Sequence, residues 1–312
     1  MKILITGASG LVGKNLVEIF KNTSHNLLTP SHGELDLMNR SEVYKYLELE
    51  KPDAVIHCAA KVGSIAENFS NPLQFLLANF DMSRNVIIGA FDNGIKKFIN
   101  LASACVYPAE KYNELLTEDM AVTGSFEKEN EGYSLAKAAG LLMCKYISEK
   151  NSDFHYKTLI PCNIYGGGCK ASFSEKKSHM LEAAIKKIYK AKKENLPEVE
   201  IWGNGKPRRE LIYAEDLAKI IFHAVENLEK VPAVLNVGSG KDYSVDDCYK
   251  TVAKILDYKG KFFYDLSKPS GMQRRLLDVP LLRSLDFLNL KSETSLEEGI
   301  KKTVEFYKNY VL

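Results

Sequence analysis

The segment KILITGASGLVGKNLVEIF, residues 2–20, decides the fold. Its first five residues are mostly apolar or β-branched, which predicts a short buried strand. Gly7, Gly10 and Gly13 follow at intervals of three, and residues 11–20 carry apolar side chains at helical spacing. A glycine turn between a strand and a helix lets a pyrophosphate approach the backbone amides and the positive end of the helix dipole. The segment therefore predicts a dinucleotide-binding turn at the start of a Rossmann-type fold.

Strand and helix patterns continue to alternate after this opening. Strands are predicted at 26–28, 53–57, 96–103 and 156–159, and helices at 41–49, 72–93 and 132–149. The pattern becomes irregular after Pro161, and residues 212–238 again predict a helix and a strand that return to the sheet. We therefore expect an α/β fold, a Rossmann-type doubly wound parallel sheet with a smaller C-terminal substrate-binding domain. The dinucleotide-binding domain is predicted at 1–160 and about 210–240, and the substrate-binding domain at 161–209 and 241–312.

Composition argues against several classes of protein. The 312 residues include 42 basic and 40 acidic side chains that are interspersed, so a basic face for nucleic acid is not expected. The start of the chain lacks an apolar stretch long enough for a signal peptide or a membrane span. The six cysteines are scattered without the paired spacing of a metal site. We expect a cytoplasmic protein with reduced cysteines, no metal, and no nucleic-acid or membrane partner.

The end of the second predicted strand bears on the choice of cofactor. In this fold an acidic side chain there usually binds the ribose 2′-hydroxyl of NAD, whereas an arginine accommodates the 2′-phosphate of NADP. Residues 28–32 read LTPSH and contain neither. We expect NADP, because no acid opposes the 2′-phosphate and Ser31 or His32 can hydrogen-bond to it, with NAD as the alternative.

Four residues suggest proton transfer at the same edge of the sheet. Tyr133 and Lys137 lie four positions apart in a predicted helix, so both project from one face. The ammonium is expected to lower the pKa of the phenol, which would make proton exchange with a substrate oxygen practicable. Ser103 ends the preceding strand, and Cys105 follows two residues later. A thiolate there can remove a proton from a carbon next to a ketone, although a buried cysteine is more often a small core residue.

On these residues and on longer motifs, the chain resembles the GDP-L-fucose synthase family of extended short-chain dehydrogenases/reductases. The motifs are AAKVGSIAEN (59–68), SACVYP (103–108), YSLAK (133–137), PCNIYG (161–166), SHM (178–180), WGNGKPRRELIYAEDLA (202–218) and KPSGMQRRLLD (268–278). The resemblance implies a homodimeric enzyme that epimerises a GDP-linked 4-keto-6-deoxy sugar at C3 and C5 and then reduces C4 with NADPH. Its substrate would be GDP-4-keto-6-deoxymannose or a related 6-deoxyheptose.

The resemblance also implies individual roles. Cys105 would be the epimerisation base, His179 its acid partner and Tyr133 the proton donor to the C4 oxygen, with Lys137 and Ser103 as supports. The predicted cofactor contacts are Tyr133, Lys137, His179, Gly7, Gly10, Leu11, Val12, Gly13, Ser31, His32, Ala59, Ala60, Leu101, Pro161, Asn163 and Ile164. The predicted substrate contacts are Ser103, Cys105, Val62, Gly63, Asn163, Lys187, Trp202, Arg209 and Asp278.

Two departures from the family pattern lie close to the predicted sugar pocket. Residues 166–170 (GGGCK) replace a more polar loop, and Glu182 stands where the family often has proline. They leave open a reductase without epimerase activity. Two other hypotheses are a 4-epimerase or 4,6-dehydratase that retains NAD, and a dinucleotide-sensing regulatory module.

Overall fold

Strands and helices alternate along the part of the chain that the structure describes. The computed structural model describes residues 1–111, 113–174, 178–268, 272–288, 290 and 293–311. The strands are β1 (Lys2–Thr6), β2 (Asn26–Leu28), β3 (Ala54–His57), β4 (Lys97–Leu101), β5 (Leu115–Leu116), β6 (His155–Pro161), β7 (Asn163–Tyr165), β8 (Glu198–Trp202), β9 (Arg208–Tyr213), β10 (Val234–Val237), β11 (Asp242–Ser244), β12 (Lys261–Asp265) and β13 (Leu276–Leu277). The helices are α1 (Leu11–Phe20), α2 (Arg40–Glu50), α3 (Ile65–Ser70), α4 (Pro72–Asp92), α5 (Glu131–Lys150), α6 (Met180–Lys193), α7 (Ala214–Glu226), α8 (Val245–Leu256), α9 (Pro280–Arg283) and α10 (Leu296–Tyr310). None of these helices combines the length and the apolar content that a membrane crossing requires.

Six of the described strands form a parallel central sheet. Their order is β10-β6-β4-β3-β1-β2, and Ile3 in β1 lies opposite Leu27 on one side and Ala54 on the other. Parallel neighbours require crossover connections, which the intervening helices supply. Each of these strands falls where the sequence predicted one, including β10 at the end of 212–238. The predicted Rossmann-type parallel sheet is confirmed.

Alternation along each strand builds an apolar core on both faces of the sheet. Ile3 and Ile5 pack with residues of α1 and α7, whereas Leu4 between them packs with residues of α2 and α4 on the opposite face. Successive side chains of a strand point to opposite faces, so a strand covered by helices on both sides must be apolar throughout. This requirement explains why the strand segments read as continuous apolar runs.

A separate apolar core lies in the later part of the chain. It is built by buried residues of α6, α8 and α10 together with β8 and β9, among them Ile185, Ile201, Val252 and Val304. Two small sheets, β11-β9-β7 and β12-β8, accompany it. The boundaries predicted for the two domains stay a prediction.

A buried asparagine connects the sheet to the loop that follows β4. Asn236 in β10 accepts a hydrogen bond from the Tyr107 hydroxyl at 2.5 Å. Its side-chain amide donates to the carbonyl oxygens of Leu116 and Asp278, at 2.7 and 3.0 Å. All of its side-chain hydrogen-bonding groups are therefore paired away from water, which makes the contacts costly to lose.

We expect Asn236→Leu to lower the free energy of unfolding by about 3 kcal/mol, because it leaves a hydroxyl and backbone carbonyls buried without partners. Tyr107→Phe removes only one of these hydrogen bonds and should lower the free energy of unfolding by about 1 kcal/mol. Urea unfolding followed by circular dichroism measures both values. Equal losses in the two variants would contradict the role assigned to Asn236.

Candidate active site

A cavity of about 1130 Å³ lies at the edge of the sheet where β1, β3, β4 and β6 end. Every predicted cofactor contact lines it: Gly7, Gly10, Leu11, Val12, Gly13, Ser31, His32, Ala59, Ala60, Leu101, Tyr133, Lys137, Pro161, Asn163, Ile164 and His179. The predicted substrate contacts that line it are Val62, Gly63, Ser103, Cys105, Asn163 and Arg209. Parallel strands bring their carboxyl ends to one edge, so segments far apart in sequence meet there.

The glycine turn is closed too tightly for side chains. Gly7 has a φ of 72°, and a Cβ atom on it would lie 2.7 Å from the backbone nitrogen of Ala59. A Cβ on Gly13 would lie 2.2 Å from the carbonyl oxygen of Gly7. Gly10 caps the start of α1 without a side chain, which leaves the first amides of the helix accessible to an anion. The residues present therefore fit the pyrophosphate of a dinucleotide.

Buried polar side chains lie beneath this turn. The hydroxyl of Thr6 is 2.8 Å from Nδ1 of His57, and Nε2 of His57 is 3.4 Å from the hydroxyl of Ser83. Burial lowers the pKa of His57 to about 3, and the charge of Lys137 acts in the same direction. The imidazole is therefore neutral at physiological pH.

The end of β2 differs from its sequence-based interpretation. The backbone amide and the hydroxyl of Ser31 both donate to the Glu34 carboxylate, at 2.7 Å each. These hydrogen bonds lower the pKa of Glu34. His32 is exposed, and its Nδ1 lies 3.9 Å from the Asp36 carboxylate. Folding thus places an acidic side chain next to each of the two residues predicted to bind a 2′-phosphate, although the end of β2 contains no acidic residue.

Lys137 is the buried cation of the site. Its ammonium donates to the carbonyl oxygen of Leu101 at 2.8 Å and lies 5.8 Å from the centre of the Tyr133 ring. Burial lowers the pKa of Lys137 to about 8, while Cys105 and Cys58 oppose the change. The amine is thus poised to gain or lose its proton close to neutrality.

The expectation that the ammonium lowers the pKa of Tyr133 is wrong for this structure. Burial raises the pKa of Tyr133 well above its ordinary value, and the nearby Cys105 raises it further. Desolvation is the larger of these two causes, and both disfavour the phenolate. Tyr133 is therefore a neutral phenol that can donate a proton.

Cys105 lies in a one-turn 3-10 helix, Ala104–Val106, rather than at the strand end, because β4 stops at Leu101. Its side chain is 2% exposed. Burial raises the pKa of the thiol, whereas hydrogen bonds with Ser134 and Ser103 and the charges of Arg275 and Lys137 lower it. These two hydroxyls and two positive charges stabilise the thiolate form of Cys105, whereas burial disfavours it.

His179 is the N-terminal cap of α6 and faces the same cavity. The side chain is exposed, but the surrounding protein atoms disfavour the imidazolium and lower the pKa of His179. The neutral imidazole is therefore favoured, and His179 can act as an acid only after it has taken up a proton.

Three predicted substrate contacts lie outside the wall of the cavity. Lys187 donates to the backbone and carboxylate oxygens of Glu200, at 3.1 Å each, and its ammonium lies 5.3 Å from the centre of the Trp202 ring. Trp202 is 47% exposed and also donates to Glu200, at 2.8 Å. The backbone of Asp278 bonds to Leu116 and Asn236. Substrate binding by these three residues stays a prediction.

The sequence analysis assigned no site role to several charged residues of the cavity wall, among them Arg275, Glu127 and Glu182. Arg275 lies 3.6 Å from Glu127, with its Nε buried and without a hydrogen-bond partner among the described residues. Glu182 was noted only as a departure from a pattern. The pair Arg274-Arg275 offered a signal, because alternate residues of an extended segment face opposite sides. Arg274 bonds to Asp242 at 2.6 Å, and Arg275 faces the cavity.

Comparison with known proteins gives consistent matches. A model of the NAD dependent epimerase/dehydratase family matches residues 3–238. A GDP-L-colitose synthase of Yersinia pseudotuberculosis is 48% identical over 99% of this chain and 98% of its own length. A GDP-L-fucose synthase of Azorhizobium caulinodans is 42% identical over 98% of this chain and 96% of its own length. A solved GDP-mannoheptose C4 reductase of Campylobacter jejuni, with NADP bound, superposes with a TM-score of 0.86 at 29% identity and covers 99% and 98% of the two chains.

The low pKa of Lys137 predicts a specific dependence of stability on pH. Between pH 8 and 10.5 the unfolded chain retains a proton on Lys137 that the folded chain has released. The free energy of unfolding therefore increases as the pH rises through this range. The free energy of unfolding of the wild type, minus that of Lys137→Met, should rise by up to about 3 kcal/mol across this window. Urea titrations at pH 7.5, 9 and 10.5 measure the difference.

Exposed Lys190 in α6 offers a control for loss of one positive charge. The free energy of unfolding of the wild type, minus that of Lys190→Met, should change little between pH 7.5 and 10.5. A flat difference for Lys137→Met as well would show that the ammonium is not disfavoured by burial.

Proposed function

The chain belongs to the NAD dependent epimerase/dehydratase family, and we propose that it acts on a GDP-linked 4-keto-6-deoxy sugar, by epimerisation next to the ketone and NADPH-dependent reduction at C4. The resemblance found in the sequence is confirmed by the family match and by relatives at 48% and 42% identity. The observation that carries the proposal is one cavity lined by a phenol, a lysine, a thiol and an imidazole, supplied by Tyr133, Lys137, Cys105 and His179.

NADP is the cofactor, as in the solved C4 reductase that carries it. When bound, NADPH supplies the hydride for reduction at C4. The glycine turn between Gly7 and Gly13 would hold the pyrophosphate, and Ser31 and His32 would meet the adenosine end. We propose that residues 161–209 and 241–312 form the domain that binds the nucleotide sugar, with Lys187, Trp202 and Asp278 among its contacts.

Epimerisation requires a base and an acid on opposite sides of a carbon beside the ketone. The ketone acidifies that carbon, so Cys105 as thiolate can take its proton and become a thiol. His179 then returns a proton to the other face. Ser103 and Tyr133 hydrogen-bond to the oxygen on which the negative charge of the enolate develops.

Reduction uses the same oxygen. Tyr133 transfers its phenolic proton to the C4 oxygen as the carbon receives hydride, and the raised pKa of Tyr133 favours the neutral phenol that this step needs. Lys137, held by the Leu101 carbonyl, offers its charge to the phenolate that forms. Ser103 keeps the oxygen aligned.

A C4 reductase without epimerase activity is the second candidate. Two observations favour it: burial raises the pKa of Cys105, and the solved structure described above is named as a C4 reductase. Incorporation of deuterium from heavy water at C3 and C5 separates the two functions, since reduction alone leaves both carbons unlabelled. An NAD-retaining 4-epimerase or dehydratase would consume no added NADPH.

The proposed mechanism predicts different effects of three substitutions. Purified protein is incubated in heavy water with NADPH and a panel of GDP-4-keto sugars that includes 6-deoxyhexose, 3,6-dideoxyhexose and 6-deoxyheptose forms. Cys105→Ser and His179→Gln should abolish deuterium incorporation, and Tyr133→Phe should slow NADPH oxidation by about 100-fold or more while exchange continues. Normal incorporation in both Cys105→Ser and His179→Gln would exclude the epimerase assignment.

We also propose that the protein is cytoplasmic and forms a homodimer through α4 and α5. All six cysteines carry free thiols, as is typical of a reducing compartment. Exposed Phe69, Leu73 and Leu135 lie where α4 and α5 begin, 57%, 65% and 47% exposed, and a Cβ on Gly132 of α5 would lie only 2.3 Å from the Pro72 carbonyl of α4. Such a grouping of apolar side chains marks an interaction surface that a second copy can cover.

If this surface forms the dimer, Leu73→Glu should convert the dimer into a monomer, because it buries a charge at the interface. Light scattering coupled to size-exclusion chromatography gives the mass. Leu266→Glu is a matched control, since Leu266 is 74% exposed just beyond β12. A dimer that survives Leu73→Glu and Leu135→Glu would place the interface elsewhere.

A further inference from the structure

Glu182 is a buried acid whose carboxyl lacks a hydrogen-bond partner within the described part of the chain. It lies in the first turn of α6, three residues after His179, and is 1% exposed. Neither carboxyl oxygen has a hydrogen-bond partner among the described residues. The side chain lines the same cavity as Cys105 and His179. Buried polar groups in folded proteins are almost always hydrogen-bonded, so this exception requires an explanation.

Glu210 shows how the same fold treats another buried glutamate. Glu210 is 0% exposed, and its carboxylate accepts hydrogen bonds from the backbone amides of Gly240 and Leu277, at 2.7 and 2.8 Å. Glu210 therefore contributes to the fold, and it is not part of the cavity wall. Glu182 is equally buried and lines the cavity, but no amide of another described residue donates to its carboxyl.

The chemistry of the Glu182 carboxyl indicates what it can bind. Burial raises the pKa of Glu182 to about 7, and its own backbone amide opposes the change. A carboxyl with this pKa is protonated in about half of the molecules at pH 7, and a neutral carboxyl both donates and accepts a hydrogen bond. The best partner for such a group is itself uncharged and has both a donor and an acceptor.

We propose that Glu182 is a specificity-determining residue whose carboxyl hydrogen-bonds an uncharged donor–acceptor group of the bound ligands. Two sources of this chemistry enter the cavity if the proposed function is correct: a hydroxyl of the sugar and the carboxamide of the nicotinamide. The residues that the structure describes leave the carboxyl without a hydrogen-bond partner, and the ligand supplies one. A ligand without the matching group leaves the carboxyl buried and unpaired, which is how such a residue discriminates.

The proposal is tested first on the ligand-free protein. Glu182→Met keeps the length of the side chain and removes the unpaired oxygens, so it should raise Tm by about 2 °C or more. Glu210→Met, the matched control, should lower Tm because it leaves two amides unpaired. A fall in Tm for Glu182→Met would show that the fold itself satisfies this carboxyl, and it would overturn the proposal.

Ligand binding is tested with Glu182→Met and Glu182→Gln, since glutamine retains a donor and an acceptor. The Kd of NADPH alone is measured by fluorescence, and the KM of the GDP-4-keto sugar is measured with saturating NADPH. Glu182→Met should raise either the Kd of NADPH or the KM of the sugar by about tenfold or more. Glu182→Gln should return the same constant to within about threefold of the wild-type value. A change in Kd assigns the partner to the carboxamide, and a change in KM assigns it to the sugar. For the sugar, analogues that lack one hydroxyl at a time identify the group, because the correct analogue binds wild type and Glu182→Met equally.

Unchanged Kd and unchanged KM in Glu182→Met, in a wild type that is active, would overturn the proposal and leave the proposed function standing. A wild type that reduces none of the GDP-4-keto sugars would instead refute the proposed function. The Tm and Kd measurements do not depend on turnover, so the two failures are distinguishable.

Discussion

The geometry of the cavity depends on one buried hydrogen bond, from the Lys137 ammonium to the carbonyl oxygen of Leu101. Leu101 is the last residue of β4, directly before the segment that carries Ser103 and Cys105, and Lys137 lies one helical turn after Tyr133 in α5. The bond therefore sets the position of the phenol relative to the thiol. The charge of Lys137 also acts on the pKa values of His57, Cys58 and Cys105. Because the ammonium is almost completely desolvated, these effects are not screened by water.

The sequence predicted the central sheet, and it predicted many of the backbone segments that line the cavity at its edge. Strand, glycine turn and helix are encoded locally, and parallel strands must bring their ends together, so Gly7, Ala59, Leu101 and Pro161 could be placed without coordinates. The contacts and pKa values of the polar side chains were harder to predict. Glu34 returns to Ser31 by a turn that strand and helix patterns do not encode, and the burial that sets the pKa of Tyr133 depends on packing by distant segments. Arg275 and Glu127 meet across 148 positions of sequence, a contact that spacing does not reveal.

Charge in the cavity is unevenly distributed. Arg209 and Arg275 line it together, and Glu127 lies 3.6 Å from Arg275. Burial lowers the pKa of Arg209, and the charge of Glu127 opposes this change. Two guanidiniums in one wall suit a diphosphate. Elsewhere in the wall, Glu182 is buried with no hydrogen-bond partner for its carboxyl among the residues described. The cavity therefore combines a region that attracts anions with a region where only neutral polar groups are well accommodated.

The neutrality of His57 has a consequence for how the two ends of the cavity respond to their surroundings. Its imidazole is fixed between Thr6 and Ser83 and takes up a proton only near pH 3. Acidification of the cell by one or two pH units leaves the layer beneath the glycine turn electrically unchanged. The Glu182 carboxyl, whose pKa is about 7, takes up a proton over the same range. Acidity therefore leaves the support beneath the pyrophosphate turn unaltered while it changes the charge of the wall at Glu182.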